Sequence, residues 1–257
     1  MTELTNVLFL AANTARSKAY AHALHLAGFK LDQVLFLERN KKKLVDENKH
    51  PECHLSEFNG ISFPNLSQSF LDVCEKISNR IDRISCDGVK DPRVEEYLKV
   101  NKSELVIFSG FGGEIVPQNL LSADMPFLHL HSGWLPNYRG STTIYYSLID
   151  EARCGVSAIL LNEKIDEGSI VAQRHYPPPP PGVDVDYLYD NSIRANLLVR
   201  VLSQWSKERK FTTIKAQSHG VGTTYYVIHP VLKHLALIGL EKGTIQTSSV
   251  NDITTFP

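Results

Sequence analysis

The chain reads as an α/β protein: a mostly parallel sheet flanked by helices, with a small C-terminal extension. Three observations carry that expectation. Short, continuous apolar runs such as "NVLFLAA" (6–12) and "ELVIFSG" (104–110) have the character of strands covered on both faces. At the N-terminus strand, helix and strand follow within about 30 residues, the signature of a βαβ unit. With 257 residues, 42% hydrophobic and 21% charged, the chain can bury one large core and is neither disordered nor fibrous.

Taken in order, residues 6–12 form the first strand. Asn13 or Thr14 suits the N-cap of the Ala/Leu-rich helix that follows, and Gly28 suits its C-cap. "DQVLFLE" (32–38) is a second strand, and 40–64 is polar and irregular. Helical apolar spacing at Phe70, Leu71, Val73, Cys74 and Ile77 predicts a helix over 67–81. "PRVEEYLKV" (92–100) opens with Pro at its first turn and reads as another helix. Residues 104–121 supply a buried strand, a Gly-rich bend and a short helix; 126–133 is a strand and 141–151 a helix. Residues 155–177 suggest two strands around a turn. "YPPPPPG" (176–182) is extended polyproline II, read as a rigid connector in preference to a ligand for an SH3-type domain. A long amphipathic helix spans 184–208, and the last ~50 residues hold short strands and one more helix. The expected division is a catalytic domain over 1–208 and an extension over 209–257 packed on it.

A formal net charge of −1 argues against a generally basic nucleic-acid binder. The N-terminus lacks the basic and long apolar regions of a signal peptide, and no stretch approaches the ~18 apolar residues of a membrane span. Cys53, Cys74, Cys86 and Cys154 form no CxxC pair and are expected to be reduced thiols. A cytoplasmic protein with no membrane or nucleic-acid partner follows as the expectation, with a homodimer left open.

The chemistry gathers at "HLHSGWLPNYRGSTTIYY" (129–146). Side chains alternate faces along a strand, so His129 and His131 share a face while Leu130 takes the other. They sit at a carboxyl strand end before a Gly- and Pro-containing loop, where open parallel sheets bind ligands. Downstream, "EKIDEGSI" (163–170) offers Asp166 and Glu167 in a turn. Alone it is a solvated hairpin; beside an imidazole a carboxylate tunes and orients a general acid/base. No nucleophile elbow, P-loop or GxGxxG is present, and "SGFGGE" lacks dinucleotide spacing. Two histidines and a carboxylate also keep open a metal-dependent enzyme of His-x-His type.

Residues 105–173 resemble the folate-dependent formyltransferases that act on glycinamide ribonucleotide, methionyl-tRNA and sugar nucleotides. The likeness rests on "LVIFSGFGGEIVPQNLL", "HLH", "SGWLPNYRG" and "GVSAILLNEKIDEGSIVAQ", in family order and spacing. It implies a formyltransferase-type, Rossmann-like fold, with the opening βαβ unit and the 184–208 helix fitting the same fold. It also implies transfer of a formyl group from formyl-tetrahydrofolate to a primary amine, without metal or covalent nucleophile. His131 matches the catalytic histidine and Asp166 the aspartate that supports it. Gly112, Gly113, Glu114 and Ile115 match the loop holding the pterin, and Leu161, Asn162, Glu163 and Lys164 the second wall of that pocket. Asn13, Thr14 and Arg16 face the acceptor region, and Arg139 is either an anchor for substrate phosphate or carboxylate or a structural loop anchor.

One departure stands out: His129 replaces the family's Asn, which donates to the formyl oxygen. An imidazole N–H can donate to an oxyanion, so His129 is expected to take over that role or to mark altered chemistry, such as carbamoyl transfer or deformylation. The tail is shorter than the C-terminal barrel of the tRNA enzymes and the net charge is near zero, so the expected acceptor is an amino-sugar nucleotide.

Overall fold

The computed structural model describes residues 1–39, 54–121, 124–214, 217 and 221–242, with the backbone of 254–255. The chain forms two compact units, Met1–His129 and Leu130–Pro257. The boundary between them falls inside one strand.

In the first unit, β1 (Thr2–Ala12) is the centre of a parallel sheet. Residues 7–12 are buried without a break, as a strand sandwiched on both faces requires. α1 (Ala15–Leu26) starts at Thr14, whose side chain accepts from the Ser17 N–H. It ends at Ala27, with Gly28 following at φ +73°, the left-handed position that stops helices. β2 (Phe29–Glu38) pairs with β1 on one side, and β6 (Leu105–Ser109) on the other. β3 (Glu57–Phe58) and β4 (Ile61–Ser62) make a small hairpin.

The helix expected over 67–81 is corrected. Only α2 (Phe70–Cys74) is helical, and β5 (Ile81–Ser85) is a strand paired in parallel with β2. The apolar spacing is real, since Phe70, Val73, Cys74 and Ile77 are all buried. Ser78 then closes a turn by accepting from the Arg80 N–H, and the ladder along Val34–Glu38 captures the next five residues. Pairing at a sheet edge outweighs propagation of a short helix. α3 (Pro92–Val100) matches its expected span, capped by Asp91, which accepts from the Arg93 N–H. β7 (Phe127–His131) pairs in parallel with β6 through Phe127 and Leu128.

In the second unit, β7 leads through β8 (Tyr138–Gly140) to α4 (Thr143–Glu151). β9 (Cys154–Leu160) neighbours β7, and β10 (Ser169–Tyr176) returns antiparallel to β9, the two strands around a turn expected over 155–177. After the proline run, one turn of π-helix over Val185–Tyr189 opens α5 (Asp190–Glu208). Asp184 caps that turn by accepting from the Tyr187 N–H. β11 (Thr223–Tyr225) pairs in parallel with β8, followed by α6 (Pro230–Glu241) and β12 (Thr254–Thr255) on the edge of β10. The result is a mostly parallel sheet flanked by helices. Among the described residues no helix is long and apolar enough to cross a membrane. Cys74, Cys86 and Cys154 are free, buried thiols, and Cys53 lies outside the described residues.

Candidate active site

The second unit brings His131 and Asp166 together. His131 closes β7 with its ring nearly buried, and Nδ1 lies 3.3 Å from Asp166 Oδ1. Nε2 is 2.7 Å from the Tyr138 carbonyl oxygen, which can only accept, so Nε2 carries a hydrogen and donates. Each ring nitrogen therefore faces an acceptor. A neutral ring satisfies one of them; a ring that has taken up a proton satisfies both, which suits a group that gains a proton during reaction.

Asp166 itself is fixed from several sides. It adopts φ +54°, a left-handed conformation uncommon outside glycine. Its Oδ2 accepts from the Gly140 N–H at 2.8 Å. Gly140 belongs to the "YRG" of the loop and sits at φ +95°, where an added Cβ would lie 2.1 Å from the Tyr225 carbonyl oxygen. Glycine is required there on both counts. The pairing of β8 with β11 thus aims a backbone N–H at the carboxylate. Glu167, the alternative carboxylate, faces Arg139 at 3.5 Å and Lys164 at 3.9 Å.

Two residues not singled out from the sequence shape the loop before β8. Ser157 in β9 donates to the Gly133 carbonyl at 2.7 Å and accepts from the Leu135 N–H at 3.0 Å. Gln173 in β10 donates from Nε2 to the Leu135 carbonyl and to Ser157 Oγ. A buried Ser inside the apolar run "CGVSAIL" was the readable signal, because a hydroxyl there needs partners. At the loop's start, Ser132 donates to Asp190, which pairs with Arg194 at 2.6 Å. Trp134 stacks flat on His175, centroids 3.8 Å apart. Burial, then the nearby Arg153 cation, pushes the His175 pKa down to about 4.

The remaining expected residues divide clearly. Arg139 is almost fully buried, 3.5 Å from Glu167, and donates to Gln217 at 3.1 Å, contacts that tie its loop to the neighbouring turn. His129 is half-buried, its ring 6.4 Å from that of Phe108. Arg16 donates to Ser109 Oγ and the Gly110 carbonyl, pinning the start of the Gly-rich loop, and Asn13 precedes the helix cap. Within that loop Gly112 and Gly113 have nothing within 4 Å of an added Cβ, and Ile115 is exposed. The Glu114 carboxylate points inward, accepting from the Phe111 and Val89 N–H groups at 2.7 and 2.9 Å. Leu161 packs on a cluster of Leu135, Ile159 and Ile170. Asn162 shapes the next turn, accepting from the Lys164 N–H and donating to the Glu167 carbonyl, with Glu163 and Lys164 exposed.

Among the described residues no three His, Cys, Asp or Glu side chains converge on a metal-binding arrangement.

A family model described as formyl transferase matches residues 7–196. The chain is 34% identical over 132 residues to a methionyl-tRNA formyltransferase of Syntrophus aciditrophicus (strain SB), covering 49% of this chain and 41% of that protein. It therefore spans less than half the length of that relative. Among solved structures, a sugar N-formyltransferase from Shewanella sp FDAARGOS_354 superposes with a TM-score of 0.55 at 16% identity, covering 100% of this chain and 96% of the other. The glycinamide ribonucleotide transformylase 1 from Symbiobacterium toebii reaches 0.53 at 13% identity, covering 84% and 95%. These two likenesses concern the fold. The match over residues 7–196 shows that the chain belongs to the formyl transferase family.

Proposed function

We propose that this protein transfers a formyl group from formyl-tetrahydrofolate to a primary amine of a small molecule, with an amino-sugar nucleotide as the acceptor class. The observation that carries the reading is the buried His131–Asp166 pair, 3.3 Å apart, at a strand end in a chain of this family. The neutral amine attacks the formyl carbon, forming a C–N bond and a tetrahedral oxyanion. The amine then loses a proton and the folate nitrogen gains one as its C–N bond breaks. His131 takes and returns that proton, while Asp166 holds the ring and stabilises its charged form. His129 is assigned to donate to the oxyanion in place of the family's Asn.

Gly112, Gly113, Glu114 and Ile115, with Leu161, Asn162, Glu163 and Lys164, are assigned to the donor. The open side of Gly112 and Gly113 and the exposed Ile115 suit a flat heteroaromatic ring. Glu114 serves through the loop shape it sets. Asn13 and Arg16 are assigned to the acceptor, Arg16 through the loop that it pins. The division into a catalytic domain over 1–208 and an extension over 209–257, a cytoplasmic setting and a homodimer belong to the same reading. A tRNA acceptor is disfavoured by the net charge of −1, because phosphate-backbone binding draws on clustered cations.

The test is formyl transfer from formyl-tetrahydrofolate to a panel of amino-sugar nucleotides, glycinamide ribonucleotide and methionyl-tRNA, followed by release of tetrahydrofolate. His131→Ala is expected to lose about 100- to 10,000-fold in turnover with folding intact, the range that general acid/base groups supply. Near-normal turnover in that variant would falsify the assignment. His129→Asn is expected to keep substantial activity; a loss of several orders of magnitude would mark altered chemistry.

A further inference from the structure

We propose that Gln217, in the C-terminal extension, is a positioning residue that holds Asp166 in register with His131. The inference rests on the reading of that pair as the reacting groups. Gln217 Nε2 donates to the carbonyl oxygens of both Asp166 and Gly168, each at 2.8 Å. Its Oε1 accepts from Arg139 Nη2 at 3.1 Å, and the same guanidinium lies 3.5 Å from Glu167. The amide thus spends both hydrogens on the turn that carries Asp166 and its oxygen on the loop that carries Gly140. Only this orientation of the amide satisfies two carbonyls and a guanidinium at once.

Asp166 is therefore tied to residues 139–140 twice. Its carboxylate is held directly by the Gly140 N–H, and its backbone is held through Gln217 by Arg139. The second tie matters because Asp166 sits at φ +54°, a conformation that persists where the surroundings over-determine it. Released, the turn can relax toward ordinary backbone angles and carry the carboxylate away from the imidazole.

The position of Gln217 is itself secured on both sides. Before it, the Ile214 N–H donates to the Ile170 carbonyl at 2.9 Å. After it, Thr223–Tyr225 pair with Tyr138–Gly140, and the Ser141 N–H donates to the Tyr225 carbonyl. Gly222 packs so close to Pro136 that an added Cβ would lie 1.7 Å from its carbonyl oxygen. The extension is thereby part of the site, although it lies beyond the residues matched by the family model.

The test uses the full chain with Gln217→Ala and the near-isosteric Gln217→Met, which keeps volume and removes every hydrogen bond. The primary readout is the pair of ring nitrogen resonances of His131, with Asp166→Ala as the reference for complete loss of the partner. Both Gln217 variants are expected to move those resonances toward the Asp166→Ala positions while the far-ultraviolet spectrum stays unchanged. Turnover is expected to fall on the order of 100-fold with KM within about threefold, as a small misplacement of a reacting group does. Resonances identical to wild type in a folded variant overturn the proposal. Should Gln217→Ala fail to fold, Gln217→Met decides alone. Shifted resonances in a protein that transfers no formyl group to any acceptor would leave the positioning role standing and remove the proposed function.

Discussion

Two loops of this protein carry paired glycines, and they use them in opposite ways. In the loop over 132–140, glycines are places where no side chain fits. A Cβ on Gly133 would lie 2.5 Å from the Tyr138 carbonyl and 2.7 Å from His131 Nε2, and one on Gly140 would lie 2.1 Å from the Tyr225 carbonyl. In the loop over 110–115, Gly110 is packed at the base, where an added Cβ would lie 2.2 Å from Glu114 Oε2, but the adjacent Gly112 and Gly113 face open space, and the shape comes from the Glu114 carboxylate gripping two backbone N–H groups. The first loop is a packed bearing for a side chain that must not move. The second keeps a face clear, as a backbone platform for a ligand needs. Similar composition thus serves rigidity in one region and access in the other.

The sharpest way to break that contrast is substitution at Gly140. Gly140→Ala combines a positive φ with a backbone clash, and the expected loss is on the order of 3–5 kcal/mol in chemical denaturation. A loss below about 1 kcal/mol would show that β8 and β11 are not in close register. Next comes Ser157→Ala, which strips partners from the buried Gly133 carbonyl and Leu135 N–H. It is expected to cost about 1–3 kcal/mol, with turnover falling as the loop before Tyr138 loosens.

A pH effect of intermediate size belongs to the same packed region. The folded protein holds His175 down to a pKa of about 4, whereas the unfolded chain takes up the proton near the ordinary value of 6.5. Stability is therefore complete above pH 6.5 and declines as pH falls toward 4, because the unfolded state binds the proton first. Discounted for partial exposure, the decline is about 1–2 kcal/mol, and His175→Phe, which retains the stack on Trp134, is expected to remove it. Parallel pH–stability curves for the two proteins would refute this. The smallest expected effect is at Gly112, where Ala should change stability by less than about 0.5 kcal/mol. Its signature is a raised KM for the folate donor with an unchanged melting temperature. A destabilisation as large as that of Gly140→Ala would erase the distinction between the two loops.

Much of the fold was legible because its signals are local. Continuous apolar runs marked β1, β6 and β7, Pro92 marked the start of α3, and Thr14 and Gly28 bracketed α1. The misreading at 67–81 was also local in origin: helical spacing over Phe70 to Ile77 is genuine, but a neighbouring strand edge claimed Ile81–Ser85. Of the site, His131 and Asp166 were visible through their surroundings in the motifs. Glu114 was visible as a member of the Gly-rich loop, yet its inward role was not, since a carboxylate in a loop reads equally well facing solvent. Gln217 had no local signal at all. A single Gln in a polar stretch acquires meaning from three partners that are 49 to 78 residues away.

The sequence by itself determined the α/β class, the strand end that bears the imidazoles and the family, because periodicity and contiguous motifs are properties of neighbouring residues. Tertiary structure alone decided that Arg139 faces inward, that Gln217 ties Arg139 to the turn bearing Asp166, and that β11 pairs with the strand whose Gly140 N–H holds that carboxylate. Those outcomes depend on hydrogen bonds between segments remote in the chain. Buried polar groups must find partners wherever the packed backbone places them, and no local pattern announces where that will be.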